Sequence, residues 1–332
     1  MNSINIAIIG FGKMGQIRYD SLSKNNHVKI KYIYELNQQI SVPSKLKVND
    51  LNIIFNDTDI HAVFICTPNF HNFPLTIKSI INDKFVFCEK PPAFSVKEMN
   101  EIINEEKKSS KFIMYGFNHR QHESILLMKE KIESGDYGKI LWMRGRYGKS
   151  VDKDFFNSWR SDKKKSGGGI LIDQGIHMLD LFLCFVKEFD QVKSFISKSY
   201  WDLNIEDNVF AIFKNSKTNI TASLHSTMTQ WRHLFSLEIF LEKGYFVLNG
   251  LKTSSNSYGE EKLSVAINRS SAPEAKWDDE ENYLFKEEDF WQKETDEFIN
   301  SIIQKRSPNF GTSQQALNVL SIVERIYKEN EV

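Results

Sequence analysis

The chain has 332 residues, a length that predicts two domains rather than a single core. Its 43 basic and 43 acidic residues balance, which argues against a nucleic-acid or anionic-membrane partner. Cys66, Cys88 and Cys184 lie far apart without CxxC spacing, which indicates reduced thiols in a cytoplasmic protein and argues against a disulfide framework or a zinc site.

Two features of the sequence argue against membrane insertion. The chain begins with strand-forming residues, without the basic and apolar regions of a signal peptide. The most apolar stretch, Ile170 to Val186, is interrupted by Asp173, His177 and Asp180, and such polar residues are unfavourable in a membrane-spanning helix. We therefore expect a cytoplasmic protein with no membrane partner.

A strand from Ile4 to Ile9 leads directly into a GxGxxG motif. A helical pattern and a second strand follow, which is the context that a dinucleotide-binding site requires. The first glycine permits a tight turn, the second admits a pyrophosphate close to the backbone, and the third lets the helix pack on its strand. A glycine turn in a cofactor-free α/β protein is the alternative. The residues of the predicted cofactor loop are Gly10, Phe11, Gly12, Lys13, Met14 and Gly15.

The second strand, Val28 to Tyr34, ends at Glu35. A carboxylate at this position is placed to accept hydrogen bonds from the ribose hydroxyls on the adenine side of the cofactor. It also repels a 2′-phosphate. The sequence therefore favours NAD over NADP.

The loop after the strand from Ala62 to Cys66 should lie at the carboxyl edge of the sheet, near the cofactor. Asn69 and His71 are candidates to approach the nicotinamide or its ribose, and a role as loop caps is the alternative. The predicted cofactor contacts of this loop are Thr67, Pro68, Asn69 and His71.

A further strand, Phe85 to Cys88, is followed by Glu89 and Lys90. Ser95 and Glu98 then predict the capping box of a helix. Lys90 thus lies at the carboxyl edge of a parallel sheet, where such sheets bind ligands, and Glu89 beside it is also assigned to the cofactor. A surface lysine beside a proline turn is the alternative.

A strand from Phe112 to Phe117 completes an alternation of strands and helices that predicts a doubly wound sheet. The order of GxGxxG, acidic residue, TPN, EKP and GFNHR, the last at Gly116 to Arg120, resembles the Gfo/Idh/MocA family of oxidoreductases. Later segments extend the resemblance: Trp159-Arg160, Gly167-Gly168-Gly169 and Asp173-Gln174-Gly175-Ile176-His177.

The resemblance implies an α/β protein with an N-terminal Rossmann dinucleotide-binding domain and a C-terminal α/β domain that has a large, mostly antiparallel open sheet. We place the boundary between residues 1–120 and 121–332 and expect the last helices to pack back on the first domain. The resemblance also implies a homodimer or homotetramer built on the C-terminal sheet.

Asp173 and His177 are four residues apart, so a helix would carry both on one face. The rest of this helix is apolar, and a polar stripe on a buried helix must find partners or line a cavity. A histidine satisfied by its own helix neighbours is the alternative, and Asp173 is also placed to cap the helix. Glycines 167–169 are interpreted as a hinge or an anion nest, and lysines 163–165 as a solvated loop or a phosphate contact.

Oxidation of a ring hydroxyl needs a base for its proton, a positive group for the developing alkoxide and a hydride acceptor. Histidine titrates near neutrality, so His177 is the candidate acid/base, and Lys90 would stabilise the charge on the same oxygen. Asp173 would orient His177 or hold a substrate hydroxyl. Aromatic faces and guanidinium forks suit a polyol. The residues expected on the substrate side are Asn118, Arg120, Trp159, Arg160, Asp173 and His177.

The remaining chain predicts structural elements. Alternating apolar residues predict strands over Gln191–Lys198, Val209–Phe213, Ile220–His225 and Leu237–Leu241. Thr312 and Gln315 predict the capping box of a final helix.

The sequence therefore predicts an NAD(P)-dependent oxidoreductase, without a metal, that interconverts a ring hydroxyl and a ketone on a sugar, a cyclitol or a nucleotide-linked sugar. The resemblance leaves two alternatives: a glycoside hydrolase that uses NAD without net redox change, and a non-catalytic dinucleotide-binding sensor. A sensor would be expected to lack the lysine or the histidine, and this chain has both Lys90 and His177.

Overall fold

The computed structural model describes residues 3–253, 255–267, 276–286 and 289–330. The chain forms two compact units. Unit 1 comprises Met1–Asn118 and Phe290–Ser321, and unit 2 comprises His119–Asp289 and Ile322–Val332. The chain thus leaves unit 1 between Asn118 and His119, and unit 1 is built from two separate segments.

Unit 1 contains a parallel sheet with strand order β3-β2-β1-β4-β5-β6. Strand β1 pairs with β2 on one side and with β4 on the other, so the direction of winding reverses at β1. This confirms the doubly wound fold expected from the alternation of strands and helices. Its first elements are β1 (Ile4–Ile9), α1 (Lys13–Ser23), β2 (Val28–Tyr34), β3 (Lys47–Val48), α2 (Leu51–Asn56), β4 (Ala62–Ile65), α3 (Asn72–Ile81), β5 (Phe85–Glu89), α4 (Val96–Glu106) and β6 (Ile113–Gly116).

Three strand ends align at the carboxyl edge of this sheet. Ile9 at the end of β1 pairs with Ile65, and Ile65 at the end of β4 pairs with Cys88 in β5. The loops that follow β1, β4 and β5 therefore leave the sheet side by side. Adjacent loops at a point where the winding reverses form the usual ligand crevice of an open α/β sheet.

Unit 2 contains an eight-stranded sheet with order β14-β13-β12-β11-β7-β10-β9-β8. Neighbouring strands are antiparallel except β10 and β7, which are parallel, so the sheet is mostly antiparallel as predicted. Its elements are α5 (Glu123–Glu133), β7 (Ile140–Gly148), α6 (Lys153–Phe156), α7 (Lys163–Ser166), α8 (Ile176–Val186), β8 (Gln191–Ser197), β9 (Asn208–Lys214), β10 (Thr221–Thr227), β11 (Leu234–Leu241), β12 (Gly244–Asn249), β13 (Glu261–Ile267) and β14 (Glu281–Phe285).

The two faces of the unit 2 sheet differ in their surroundings. On the inner face, Phe213 of β9 packs against Phe182 of α8, with ring centroids 6.1 Å apart. Side chains alternate along a strand, so Phe210 and Ile212 point to the opposite face, where they are 52% and 60% exposed. His225 also lies on this outer face, stacked on Phe210 at 3.9 Å.

Helix α8 and the residues before it form the apolar centre of unit 2. By length and composition, the helical stretch Lys163–Val186 is apolar enough to cross a membrane, but 78% of its most apolar window is buried inside the protein. The core helix of a folded domain gives the same signal, and Ile176 and Leu181 in α8 are fully buried. We therefore interpret this stretch as a core helix.

Two helices close the chain, α9 (Phe290–Gln304) and α10 (Ser313–Glu329). Helix α9 completes the core of unit 1: the ring of Phe298 makes edge contacts with Phe64 and Phe87, at centroid distances of 5.1 and 5.7 Å. At the start of α10 the predicted capping box is confirmed. The Gln315 N–H donates to Thr312 Oγ1 at 3.3 Å, and the Thr312 N–H donates to Gln315 Oε1 at 3.4 Å.

The capping box predicted for α4 forms only in part. The Glu98 N–H donates to the Ser95 hydroxyl at 3.2 Å, as expected. The Glu98 carboxylate, however, accepts the N–H of Phe94 at 2.7 Å rather than that of Ser95. The carboxylate thus fixes the backbone one residue before the cap, in the segment that leads from the Lys90 loop into the helix.

Candidate functional site

The glycine loop after β1 leaves open space where a cofactor would need it. Gly10 has φ of +90°, and a Cβ there would lie 2.8 Å from the backbone carbonyl of Cys66. A Cβ on Gly15 would lie 2.1 Å from the Gly10 oxygen, so this glycine permits close packing of α1. At Gly12 an added Cβ would meet no heavy atom within 4 Å. Gly12 is also the N-cap of α1, so its open side lies at the positive end of a helix, which fits a pyrophosphate.

Glu35 is held beside this loop by two backbone hydrogen bonds. Its Oε2 atom accepts the N–H of Phe11 at 2.6 Å, and its Oε1 atom accepts the N–H of Asn37 at 2.7 Å. Each carboxylate oxygen has a further lone pair that can accept a hydrogen bond from a hydroxyl group. The glycine loop and Glu35 therefore fit a dinucleotide with a free ribose hydroxyl.

The loop after β4 contributes a residue that the sequence did not single out. Residues Asn69–His71 form a short 3₁₀ turn, and burial lowers the pKa of His71. The next residue, Asn72, is fully buried, and its amide donates to the backbone oxygens of Glu89 at 3.1 Å and Pro91 at 2.8 Å. Asn72 thus ties the loop after β4 to the loop that carries Lys90. The visible signal is an asparagine at the first position of α3, ahead of the apolar residues Phe73 and Leu75.

Lys90 follows β5 directly and is partly buried, and the peptide bond that joins it to Pro91 is cis. The preceding residue, Glu89, is 7% exposed, and its carboxylate accepts a hydrogen bond from Arg18 Nε at 2.8 Å. Arg18 is fully buried and also pairs with Glu294 of α9. Glu89, which the sequence assigned to the cofactor, is therefore bound by a protein cation that anchors the Lys90 loop.

In unit 2, Arg120 forms a buried ion pair. Its Nε and NH2 atoms donate to the two carboxylate oxygens of Asp180 at 2.7 and 2.6 Å, and Asp180 is fully buried. Asp180 lies three residues after His177 on α8. The guanidinium fork that the sequence assigned to substrate is thus already occupied by a carboxylate, and the pair anchors α8 about one turn after His177.

His177 lies in a cluster of rings that sequence patterns did not predict. It is 6% exposed, and its ring stacks on His119 with centroids 4.0 Å apart and planes inclined by 14°. The Nε2 atom of His119 lies 3.1 Å from the Tyr147 hydroxyl, whose ring contacts Tyr258 at 5.4 Å. Burial raises the pKa of Tyr147 well above its usual value. His177 therefore sits among polar aromatic groups, and its stack on His119 restrains the orientation of its ring.

Asp173 lies in a π-helical turn, Leu171–Gly175, immediately before α8. It pairs with Lys149, and Arg160 Nε approaches its Oδ1 atom at 4.0 Å. Arg160 in turn lies 4.4 Å from the ring centroid of Trp159. The structure thus brings Trp159, Arg160 and Asp173 together, and adds Lys149 to them.

The π-helical turn also changes the expected geometry of Asp173 and His177. The four-residue spacing predicted a shared α-helical face, but a π turn has more residues per turn than an α-helix and so shifts side chains around the axis. Such turns occur frequently at functional sites. They follow from packing rather than from a short motif, so sequence periodicity does not reveal them.

The triple glycine before α8 is explained by close packing. A Cβ on Gly169 would lie 2.0 Å from the backbone oxygen of Glu206. The Glu206 carboxylate is buried and accepts the N–H groups of Gly169 and Leu171 at 2.8 and 3.1 Å, as well as the Tyr327 hydroxyl at 2.8 Å. A protein carboxylate therefore occupies the amides that an anion nest would offer, and the segment is tightly held.

A cavity of about 860 Å³ in unit 1 lies away from these residues. Its lining includes Ile4, Phe85 and Ile113 at the amino ends of three strands, together with Lys107 and Arg306. It is thus at the opposite edge of the sheet from the glycine loop. Among the described residues there is no group of three or more histidine, cysteine, aspartate or glutamate side chains arranged to hold a metal ion.

The sheet order, the open glycine loop and its helix N-terminus define unit 1 as a dinucleotide-binding Rossmann domain, followed by a larger, mostly antiparallel α/β unit. Two family models match the same two parts. Residues 4–117 match the oxidoreductase family with an NAD-binding Rossmann fold, and residues 125–247 match the GFO/IDH/MocA C-terminal domain. The chain belongs to the Gfo/Idh/MocA family of oxidoreductases.

Curated relatives include sugar and inositol dehydrogenases. Levoglucosan dehydrogenase of Pseudarthrobacter phenanthrenivorans is 30% identical over 214 residues, covering 59% of this chain and 55% of that protein. Myo-inositol 2-dehydrogenase of Thermotoga maritima is 26% identical over 188 residues, covering 54% and 53%. The chain thus matches about half the length of these relatives.

Among solved structures, levoglucosan dehydrogenase in complex with NADH and levoglucosan superposes with a TM-score of 0.84 at 22% identity. The superposition covers 99% of this chain and 98% of that chain. At this level of identity the likeness establishes the fold, and it extends over both units.

Proposed function

We propose that this protein is an NAD(P)-dependent oxidoreductase that interconverts a ring hydroxyl and a ketone on a sugar, a cyclitol or a nucleotide-linked sugar. The observation that carries the proposal is the alignment of three loops at one edge of the unit 1 sheet. The open side of Gly12, the loop tied by Asn72 and the residue Lys90 follow neighbouring strands. A hydride acceptor and a cationic side chain at one sheet edge suit the oxidation of an alcohol.

The dinucleotide, when bound, supplies the nicotinamide that exchanges a hydride with the substrate carbon. The glycine loop from Gly10 to Gly15 would hold its pyrophosphate, and the loop from Thr67 to His71 would contact its nicotinamide side. Glu35 would accept hydrogen bonds from the adenine-side ribose. We propose NAD as the preferred cofactor, because the Glu35 carboxylate is fixed in place and repels a 2′-phosphate.

His177 is the proposed acid/base, and Lys90 is the proposed donor to the reacting oxygen. Imidazole exchanges a proton readily near neutral pH, and the stack on His119 restrains the orientation of the His177 ring. The ammonium of Lys90 would stabilise the alkoxide as the hydroxyl loses its proton. Asn72 supports this assignment by fixing the backbone on both sides of Lys90.

The substrate-side groups divide into those that would touch the sugar and those that position others. Asn118, Trp159 and Arg160 are proposed to contact hydroxyl groups or the apolar face of the ring. Asp173 would hold a substrate hydroxyl while Lys149 keeps its carboxylate in place. Arg120 contributes by holding Asp180, and therefore α8, in position.

We further propose a cytoplasmic homodimer or homotetramer that uses the outer face of the unit 2 sheet. Phe195, Phe210 and Ile212 on this face are 81%, 52% and 60% exposed, and a subunit contact would cover them. The mass in solution, measured by light scattering, tests this. An Ile212→Lys variant should dissociate the assembly, and a monomeric wild-type protein would contradict it.

The experiment that tests the activity is a screen of sugars, cyclitols and nucleotide-linked sugars with NAD and with NADP, in which the absorbance of the reduced nicotinamide is followed. Product analysis accompanies each positive reaction. A ketone that forms in step with reduced nicotinamide supports the proposal. Cleavage of a glycosidic bond with catalytic amounts of NAD, or cofactor binding without any turnover, would refute it.

A further inference from the structure

Four aromatic side chains of unit 2 form a surface cluster, which we name the aromatic platform: Phe156, Tyr200, Trp201 and Trp231. Their rings touch in sequence, with centroid distances of 5.5 Å for Phe156–Trp201, 4.9 Å for Tyr200–Trp201 and 5.0 Å for Tyr200–Trp231. Phe156, Tyr200 and Trp231 are 39%, 64% and 62% exposed. The platform thus presents several ring surfaces to solvent at one place.

The backbone under the platform is held in place by a buried carboxylate. Asp207 is fully buried and accepts the N–H groups of Ser199, Tyr200 and Trp201 at 2.8, 2.8 and 3.0 Å. The indole N–H of Trp201 donates to the Met228 backbone oxygen at 3.0 Å. The backbone that carries Tyr200 and the Trp201 indole beside it are therefore held in place before any ligand arrives, which lowers the entropic cost of binding to the platform.

The composition of the platform fits a sugar better than a protein partner. In residues 150–162, 198–206 and 228–233, the large apolar side chains that are strongly exposed are all aromatic, and exposed polar residues such as Asn157, Asp202 and Arg232 surround them. On the outer face of the sheet, by contrast, exposed aliphatic and aromatic side chains are mixed. Flat aromatic rings with a polar surround suit the C–H face and the hydroxyl rim of a pyranose.

The platform is continuous with the Asp173 group. Lys149, which pairs with Asp173, lies 5.6 Å from the ring centroid of Phe155. The Phe155 and Phe156 rings are 6.5 Å apart and perpendicular. The Phe155 ring is buried, so a chain of side-chain contacts within the protein joins Asp173 to the platform.

We propose that the aromatic platform is a second sugar-binding subsite, and that the substrate is a glycoside or oligosaccharide with at least one ring beyond the ring that is oxidised. This inference rests on the proposed function, and it narrows the substrate class. The oxidised ring lies near Asp173 and Arg160, and a further ring of the same substrate stacks on Tyr200 and Trp231.

The inference is tested by chain length. Tryptophan fluorescence is titrated with glucose, cellobiose and cellotriose, and with maltose and maltotriose, and kcat/KM is measured for the same sugars. The variants are Trp231→Ala and Tyr200→Ala, and the matched control is Trp277→Ala, which removes an 86% exposed indole outside the platform. We expect tighter binding of the longer sugars, and a loss of about tenfold in both platform variants only for those sugars.

The outcomes separate the two proposals. Equal affinity for short and long sugars, or equal losses in Trp231→Ala and Trp277→Ala, overturns the subsite. If the wild-type protein oxidises single-ring sugars with the same kcat/KM as longer sugars, the subsite is overturned and the proposed activity stands. Binding of longer sugars that depends on Trp231, without oxidation of any sugar, supports the subsite and refutes the proposed activity. If Trp231→Ala changes the oligomeric state, the platform is a subunit contact, and the proposed sugar-binding subsite is overturned.

Discussion

Two glycines of one motif should respond to the same substitution in opposite ways. At Gly12, φ is −63° and an added Cβ would meet nothing within 4 Å, so Gly12→Ala requires no movement of the protein. At Gly15 an added Cβ would lie 2.1 Å from the Gly10 backbone oxygen. Gly15→Ala therefore forces α1 away from the loop. We therefore expect Gly12→Ala to weaken cofactor binding and Gly15→Ala to lower the stability of the fold.

The magnitudes follow from these contacts. Glycine is preferred over alanine at an N-cap by about 0.5–1 kcal/mol, so Gly12→Ala should lose less stability than Gly15→Ala. Its methyl group would occupy the space next to the pyrophosphate and remove a hydrogen bond to a charged group, which is equivalent to about 1.5–3 kcal/mol, or roughly one to two orders of magnitude in Kd. Overpacking at Gly15 should cost about 1–3 kcal/mol of unfolding free energy or more.

The assay is a fluorescence titration with NADH and NADPH, combined with urea unfolding of both variants. A Gly12→Ala protein that binds the dinucleotide with wild-type affinity would show that the glycine loop does not hold the pyrophosphate. A Gly12→Ala protein that loses as much stability as Gly15→Ala would show that the space at Gly12 is filled. Either result would refute the reasoning.

Three further predictions concern chemistry, cofactor choice and acid stability. Lys90→Ala or His177→Ala should keep dinucleotide affinity while turnover falls at least roughly a hundredfold, and wild-type rates in both would remove these residues from the mechanism. Glu35→Gln removes the charge near the ribose, so the ratio of kcat/KM for NAD to that for NADP should fall about tenfold, and an unchanged ratio would contradict the assignment. Burial alone raises the pKa of Glu261, but the hydrogen bond and charge of His122 outweigh it and lower this pKa. The stability that this pair contributes is complete above the pKa of Glu261 in the unfolded chain, about 4.3, and is lost as the pH falls through the pKa in the folded protein. Glu261→Gln should therefore weaken the dependence of the free energy of unfolding on pH in this acid range, as measured by urea unfolding. An unchanged dependence would argue against the Glu261–His122 pair.

The parts of the fold that the sequence revealed are those written in local patterns. The strand before Gly10, the alternation of strands and helices and the Thr312 capping box each occupy a short window, and each is present in the structure. The capping box at Ser95 shows the limit of such patterns. The same Glu98 carboxylate can reach the N–H of Phe94 or of Ser95, and the path of the preceding loop decides between them.

The parts that the sequence did not reveal depend on partners far along the chain. Arg18 pairs with Glu89, 71 positions away, and with Glu294, 276 positions away. No sequence periodicity connects residues so far apart, so the Arg18 partner of Glu89 could not be predicted. Glu89 was assigned to the cofactor only because it lies beside Lys90 in the EKP motif. Asp173 gives a second example, because its partner Lys149 lies in the loop after β7 and is brought close only when the sheet forms.

The Arg18 ion pairs also bear on how the protein is made. Helix α9 supplies both Glu294 and Phe298 to unit 1, so the segment up to Asn118, before α9 is made, contains an arginine, a glutamate and an apolar surface that lack these partners. Without residues 290–321, this segment would expose to water the charged groups of Arg18 and Glu89, which the folded protein buries. A transplantable cofactor-binding module from this chain must therefore include residues 290–321, and the nascent unit 1 completes its interior only after those residues have been made.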